Sequence, residues 1–315
     1  MKQDIRLEEY KSIYFIGIGG ISMSALAMIM KGKGCDVKGY DRSRSTATEA
    51  LEGCGIKVFY EFDESNCKGC DLVVFTAAVN SEHPEMRAAE KHGIKKISRA
   101  ELLGAIAEHY KNAVAIAGTH GKSTTSGLLS QIFLSLASYD PTILVGATLP
   151  SIHSTFRTGH DGNFIFEACE YKDSFLNFYP SIAVILNVEH DHPDYFKDIK
   201  QMTDSFRKFL ENTGKYGKAV VNRDSVHAME AAQGYSGKLY TYSASGDERA
   251  DFIPANITYS RGMADFDVIH NGKKIYRAAL SIPGAHNVSN ALAACACAFL
   301  CGVPTEAVEK GLRDF

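Results

Sequence analysis

Two stretches of the chain repeat one pattern: a short apolar run, a glycine-rich turn, then apolar residues at helical spacing. The first is SIYFIGIGGISMSALAMIM, starting at Ser12. The second is VAIAGTHGKST followed by TSGLLSQIFLSL, starting at Val114, roughly one domain length later. Between them strand-like and helix-like runs alternate. Strands are expected at 35–41, 57–62 and 71–79, with helices at 46–55 and 82–93 and a last short strand at 94–100. Alternation of this kind predicts a parallel sheet with helices on both faces, a Rossmann-like domain. It is placed at 1–110, with the boundary in the polar stretch 109–112.

The second domain, 111–315, opens on the strand 113–118 and continues with strands at 163–169, 183–188, 218–222 and 238–243. Helices are expected at 123–137, 198–213 and 287–301. Asn271-Gly272 sits between two β-like runs, a hairpin signal that adds antiparallel structure near 252–282. The fold class is therefore α/β: an N-terminal Rossmann-like domain, then a central ATPase domain of phosphate-loop type with a small antiparallel addition.

Length agrees with more than one domain, since 315 residues exceed the usual single-domain size. A hydrophobic fraction of 45% and a charged fraction of 23% are those of an ordinary globular chain. The net charge of −3 gives no basis for nucleic-acid or membrane binding. The longest apolar run, 291–303, is too short to span a bilayer, and the charged N-terminus lacks an apolar signal core, so a cytoplasmic location is expected. The eight cysteines read as reduced; Cys67 and Cys70 form a lone CxxC with no second pair to complete a zinc site.

The turn Gly118-Thr119-His120-Gly121-Lys122-Ser123-Thr124 carries the most chemistry. A strand that delivers a glycine turn to a helix N-terminus offers free N–H groups to an anion. Lys122 adds a point charge for the β- and γ-phosphates of a nucleoside triphosphate, and Ser123 a hydroxyl for Mg²⁺. The spacing is not that of the common phosphate loop: G-x-x-x-x-G-K requires glycine at 116, and Ile116 stands there.

Three further clusters follow apolar strands. Gly17, Gly19, Gly20, Ile21 and Ser22 form a turn suited to a dinucleotide or a nucleotide diphosphate, with Asp41 at the end of the next strand as a ribose-binding acid. An NAD-dependent oxidoreductase is the rival reading, and a turn without ligand the other; hydride transfer has no use for Lys122 and Ser123. Glu167 and Glu170 end a strand, where Mg²⁺ ligands belong, and their spacing lets only one of them point into a site. Residues 187–192, NVEHDH, hold two acids and two histidines: magnesium, zinc or a solvated loop all remain open. Asn287 either caps the helix that follows or, with Asn290, reads an adenine edge.

Together these motifs resemble the Mur ligases, ATP-dependent amide-forming enzymes of peptidoglycan precursor synthesis. The resemblance runs over 17–27, 118–125, 167–196 and 283–294, in order, and is closest to the branch that adds L-alanine to UDP-N-acetylmuramate. It implies ATP and Mg²⁺ as cofactors. It implies that Gly118, Thr119, His120, Gly121, Lys122, Ser123 and Thr124 hold the ATP phosphates, and that His286, Asn287 and Asn290 meet the adenine. Ser123, Glu170 and His192 become the Mg²⁺ positions, with Lys122, Glu170 and His192 catalytic. Gly17, Gly19, Gly20, Ile21 and Ser22, with Asp41, become the UDP-sugar site.

The chain departs from the family in places. Cys169 and Tyr171 replace an acid and a serine of the central signature, and Phe62 stands where relatives often carry a histidine. The resemblance also implies a third, C-terminal domain that closes over ATP and helps bind the amino acid; the chain stops where it would begin, so a two-domain fragment with little activity alone is expected. A sister ligase adding a peptide, or a UDP-sugar-binding module without turnover, are the alternatives.

Overall fold

Strand β1 (Ser12–Ile16) is buried on both faces, as a parallel strand between two helical layers must be. This computed structural model describes residues 5–76, 78–80 and 82–315 and divides between His109 and Tyr110 into two units. The N-terminal unit continues from β1 through α1 (Ile21–Gly32), β2 (Asp36–Tyr40), α2 (Thr46–Gly53), β3 (Lys57–Phe59), β4 (Leu72–Phe75), α3 (Pro84–Lys91), β5 (Lys95–Ser98) and α4 (Arg99–Ala107). Its sheet runs β3-β2-β1-β4-β5, all parallel. The chain passes from β1 to one side and later returns to the other, so the order reverses beside β1. The carboxyl end of such a switch-point strand is where open α/β sheets bind ligands, and the glycine turn lies there.

Several boundaries differ from expectation. The strand expected at 94–100 stops at Ser98, which caps α4 with a reciprocal capping box to Glu101. The S-x-x-E signature at 98–101 marks a helix start that the apolar pattern hid. The strand at 71–79 is shortened to Leu72–Phe75, and Ala77 lies outside the described residues. Behind β1, the hydroxyl of Tyr14 donates to Glu85 Oε1 at 2.6 Å, and burial pushes the Glu85 carboxyl up to about 7.

The second unit holds β6 (Asn112–Ala117), α5 (Lys122–Leu134), β7 (Thr142–Leu149), β8 (Ser154–Arg157), β9 (Asn163–Glu167), β10 (Ile182–Ile185), α6 (Ile199–Glu211), β11 (Lys218–Asn222) and α7 (Val226–Ala231). It continues with β12 (Lys238–Tyr242), β13 (Phe252–Ser260), β14 (Met263–His270), β15 (Lys273–Pro283), α8 (His286–Leu300) and α9 (Thr305–Arg313). One sheet carries all ten strands in the order β15-β14-β13-β12-β11-β10-β6-β9-β7-β8. The centre from β12 to β7 is parallel. The antiparallel addition spans Phe252–Pro283 as three strands joined to the sheet by a Tyr242–Phe252 pairing.

Both turns of that addition, Arg261-Gly262 and Asn271-Gly272, have two successive positive φ values, the primed geometry that matches strand twist. The β7–β8 hairpin and the short helix α7 were not anticipated; neither has a strong period of its own. Helix α8 is almost wholly buried, its alanines and Cys295 and Cys297 packing in the core with α5, α9 and the strands. None of the eight cysteines, all among the described residues, is joined in a disulfide.

Candidate functional site

The carboxyl ends of the central strands β6, β9 and β10 carry the phosphate loop, the acid Glu170 and the histidine His192. Helix α5 begins at Lys122, and its N-cap, Gly121, has φ 85°. A side chain at 121 would meet both that left-handed backbone and Asn290 Oδ1, 2.5 Å from where its Cβ would stand. The loop is therefore complete without glycine at 116: Ile116 is a strand residue paired with Val184 and Glu167.

Asn187 pins this loop. Its carbonyl accepts from the Thr119 N–H at 3.2 Å, and its Oδ1 from the His120 N–H at 2.8 Å, while its Nδ2 donates to the His120 carbonyl at 3.0 Å. The N–H groups of Thr119 and His120 are already used, while those of Lys122, Ser123 and Thr124 stand ahead of the first helical bond, from Thr125 to Gly121. The His120 imidazole turns outward, 3.6 Å from Glu189. Asn187 falls within the expected strand 183–188, and nothing in the sequence alone marks it as the loop's partner.

Lys122 Nζ lies between the Glu170 oxygens, at 3.2 and 3.0 Å, and also donates to the carbonyls of Gly118 and Thr119. Glu170 is 1% exposed, so its charge is held by this lysine rather than by water. Glu167 takes the structural part: its Oε1 accepts from the Gly146 N–H at 2.5 Å and from the Ser126 hydroxyl at 3.3 Å. His192 Nε2 stands 3.7 Å from Glu170 Oε1, and Asp191 joins them in a cluster whose ligand atoms lie within 4.8 Å of one another. A buried carboxylate already holding a cation, a second acid and an imidazole fit a divalent ion with mixed oxygen and nitrogen ligands. Ser123 is the second residue of α5, next to Lys122. Asp191 is the addition to the expected ligand set. Among the described residues this is the one such cluster, and Cys67 and Cys70 take no part in it.

Asn287 is not a helix cap. Helix α8 starts one residue earlier with Ala285 as N-cap, and the Asn287 Nδ2 donates to the Pro283 carbonyl at 2.8 Å. Asn290 Nδ2 donates to Asn287 Oδ1 at 2.9 Å, and Thr125 of α5 donates to Asn290 Oδ1 at 3.3 Å. This buried chain of amides ties the start of α8 to the phosphate loop. His286 makes none of those bonds; its ring lies against Gly284.

In the N-terminal unit the turn from Gly17 leads into α1, whose N-cap Gly20 gives no side-chain bond. The N–H groups of the first turn, from Ile21 and Ser22 onward, thus precede the first helical bond, Ser24 to Gly20. Asp41 Oδ2 accepts from the Gly19 N–H at 2.8 Å, so this acid first braces the turn. A Cβ at Gly19 would come 2.8 Å from both Asp41 Oδ2 and Thr48 Cγ2. Phe62, beyond β3, is 42% exposed.

Residues 12–111 match the Mur ligase family catalytic domain and residues 116–298 the Mur ligase middle domain. The chain is 46% identical over 305 residues to the UDP-N-acetylmuramate–L-alanine ligase of Agathobacter rectalis, covering 96% of this chain and 66% of that protein. With the enzyme of the same name from Caldanaerobacter subterraneus subsp. tengcongensis it shares 44% identity, covering 99% of this chain and 67% of the relative. The chain thus spans about two thirds of the length of these curated relatives.

Among solved structures, the UDP-N-acetylmuramate–alanine ligase of Thermotoga maritima superposes with a TM-score of 0.79 at 27% identity, over 96% of this chain and 68% of that one. The UDP-N-acetylmuramate:L-alanyl-γ-D-glutamyl-meso-diaminopimelate ligase from Neisseria meningitides does so with 0.84 at 26% identity, over 97% of this chain and 98% of that one. No helix among the described residues is long and apolar enough to cross a membrane. Motifs, sheet order and sequence identity converge: the chain belongs to the Mur ligase family.

Proposed function

We propose that this chain carries the UDP-sugar and ATP sites of a cytoplasmic ligase that joins L-alanine to UDP-N-acetylmuramate in peptidoglycan precursor synthesis. The observation that carries the reading is the convergence of Lys122, Glu170 and His192 in a chain 46% identical to a ligase of that name. A carboxylate resists attack by an amine because oxide is a poor leaving group. Transfer of the γ-phosphoryl group of ATP to the lactyl carboxylate gives ADP and an acyl phosphate. The amine then adds to the acyl carbon, loses its proton, and the tetrahedral intermediate expels inorganic phosphate.

In this chain the work is positioning and charge. Lys122 leaves Glu170 and the loop carbonyls to meet the phosphates, whose oxygens offer it more charge. The first-turn N–H groups of α5 point the same way. Glu170, His192 and Asp191, with Ser123, would hold Mg²⁺, which when bound neutralises phosphate charge. Asn287 and Asn290 would meet the adenine with the donor and acceptor capacity their mutual bond leaves over. The first turn of α1, with Gly17, Gly19, Gly20, Ile21 and Ser22, would take the UDP diphosphate, braced by Asp41.

Calorimetry tests this: UDP-N-acetylmuramate and Mg·ATP should each bind once and without mutual exclusion. No heat with UDP-N-acetylmuramate, or competition between the two, would overturn the assignment. A second reading, with a peptide as the amine, has support from the likeness to the Neisseria structure. With the C-terminal domain that the family resemblance implies supplied, ADP release stimulated by L-alanine supports the first reading, and stimulation by the peptide alone the second.

A further inference from the structure

The two loops that bear the cation cluster are tied to each other in a crossed fashion. Tyr171, next to Glu170, donates its hydroxyl to Asp194 Oδ2 at 2.7 Å. Tyr195, from the loop that bears His192, donates back to Asp173 Oδ2 at 2.7 Å. Each loop thus supplies one phenol and one carboxylate to the other. The two rings meet edge to face at 6.4 Å, and Tyr171 also lies on the His192 ring at 4.7 Å. Asp173 is fixed from behind as well, because Ser205 of α6 donates to its Oδ1. Tyr195 is followed by the buried Phe196, whose carbonyl bonds to His190 Nε2 at 3.1 Å.

The backbone inside this clasp is in an uncommon state. Lys172, Asp173 and His192 have φ of 53°, 55° and 53°, the left-handed region that non-glycine residues avoid. Such residues persist where their surroundings over-determine them, and they gather at functional sites. Here the left-handed residues follow closely on Glu170 and include His192 itself. The hydrogen bonds that hold them are local turns and the crossed pair: Asp173 N–H to the Glu170 carbonyl at 3.0 Å, and Tyr195 N–H to the His192 carbonyl at 2.9 Å.

We propose that Tyr171 and Tyr195, through their crossed bonds to Asp194 and Asp173, are positioning residues that set the separation of Glu170 and His192 for a divalent cation. The inference rests on the reading above that Glu170 and His192 hold that cation. Neither phenol touches the reacting groups. Each acts by fixing the loop whose neighbour does, as outer-shell bonds to metal ligands do.

The test uses Mn²⁺ as a paramagnetic stand-in for Mg²⁺, with the β,γ-imido analogue of ATP. Electron paramagnetic resonance gives the affinity, and electron spin-echo modulation from the imidazole nitrogen reports whether His192 is a ligand. Tyr171→Phe and Tyr195→Phe keep the rings and remove only the donors. Each single change should weaken Mn²⁺ binding about tenfold, and the double change by more, up to about a hundredfold, the range outer-shell losses show. The nitrogen modulation should fall further than the amount of bound Mn²⁺. Asp194→Asn, which keeps an acceptor for Tyr171, should retain both signals, whereas Asp194→Ala should behave as Tyr171→Phe.

Unchanged affinity and modulation in the double Phe variant overturn the proposal, as does an equal loss in Asp194→Asn and Asp194→Ala. Glu170→Gln and His192→Ala separate this from the cation reading. If they leave Mn²⁺ binding intact, that reading fails; if they abolish it while the Phe variants bind normally, only the positioning role fails.

Discussion

The two glycine turns, one in each unit, are built on the same physics and surrounded by different chemistry. Each follows a buried parallel strand, and each leads into a helix whose N-cap is a glycine without a side-chain bond, Gly20 before α1 and Gly121 before α5. Both therefore leave first-turn N–H groups for an anion. They differ in their neighbours. The first turn is braced by an acid, Asp41, and the described contacts bring no cation to it. The second carries Lys122 on a buried carboxylate and is pinned by Asn187 and Asn290. The turn makes a phosphate site possible; on the proposed function, the side chains around it separate a nucleotide held at rest from one whose phosphoryl group must move.

The sharpest way to break this comparison is to remove the charge from one turn. Lys122→Gln keeps a donor beside the buried Glu170 but removes its counter-charge, so the fold of the variant is checked first by circular dichroism. It should cost ATP about a thousandfold in affinity, about 4 kcal/mol, and leave UDP-N-acetylmuramate binding unchanged, by calorimetry. Loss of both affinities would show that the two sites are not separate.

A second contrast lies beneath the turns. Glu85 sits behind β1 with its carboxyl raised to about 7, whereas an exposed one titrates near 4.5. The folded unit therefore binds a proton that the unfolded chain releases. Its stabilising contribution is full below pH 4.5, declines as pH rises through 7, and amounts to roughly 3 kcal/mol across that window. Amide hydrogen exchange between pH 5 and 8, corrected for intrinsic rates, should show protection of β1 falling relative to β6, and Glu85→Gln should flatten the difference. Equal slopes in wild type and Glu85→Gln would refute it.

The smallest effect concerns the first turn. Gly19→Ala places a Cβ against Asp41 and Thr48 and should weaken UDP-N-acetylmuramate about tenfold, about 1.4 kcal/mol, with ATP affinity unaffected. An unchanged sugar-nucleotide affinity would place that ligand elsewhere.

Much of this site was legible in order along the chain. Strands β1, β6, β9 and β10 are continuous apolar runs because parallel strands are covered on both faces, and each announces the turn or acid at its end. What could not be read was which groups face each other. Spacing showed that Glu167 and Glu170 diverge, and only packing showed that Glu167 serves Gly146 and Ser126 while Glu170 meets Lys122. Asn287 looked like a helix cap because a cap residue is recognised from sequence neighbours; the helix in fact starts a residue earlier, and the amide reaches back to Pro283. Asn187 went without a role, and Asp191 stood only as one acid of a candidate metal cluster, because their partners lie on other segments or depend on how the loop folds back.

The sequence by itself determined the α/β class, the two glycine turns and the residue types that phosphate and cation chemistry needs, because strand burial, turn conformation and ligand hardness are local properties. The tertiary structure decided the rest. It lengthened the second sheet to ten strands, gave Glu170 its lysine, spent two loop N–H groups on Asn187, and crossed Tyr171 and Tyr195 between the loops of Glu170 and His192. Those are pairings between residues far apart in the chain or on facing loops, and they exist only once parallel strands bring their carboxyl ends to one edge.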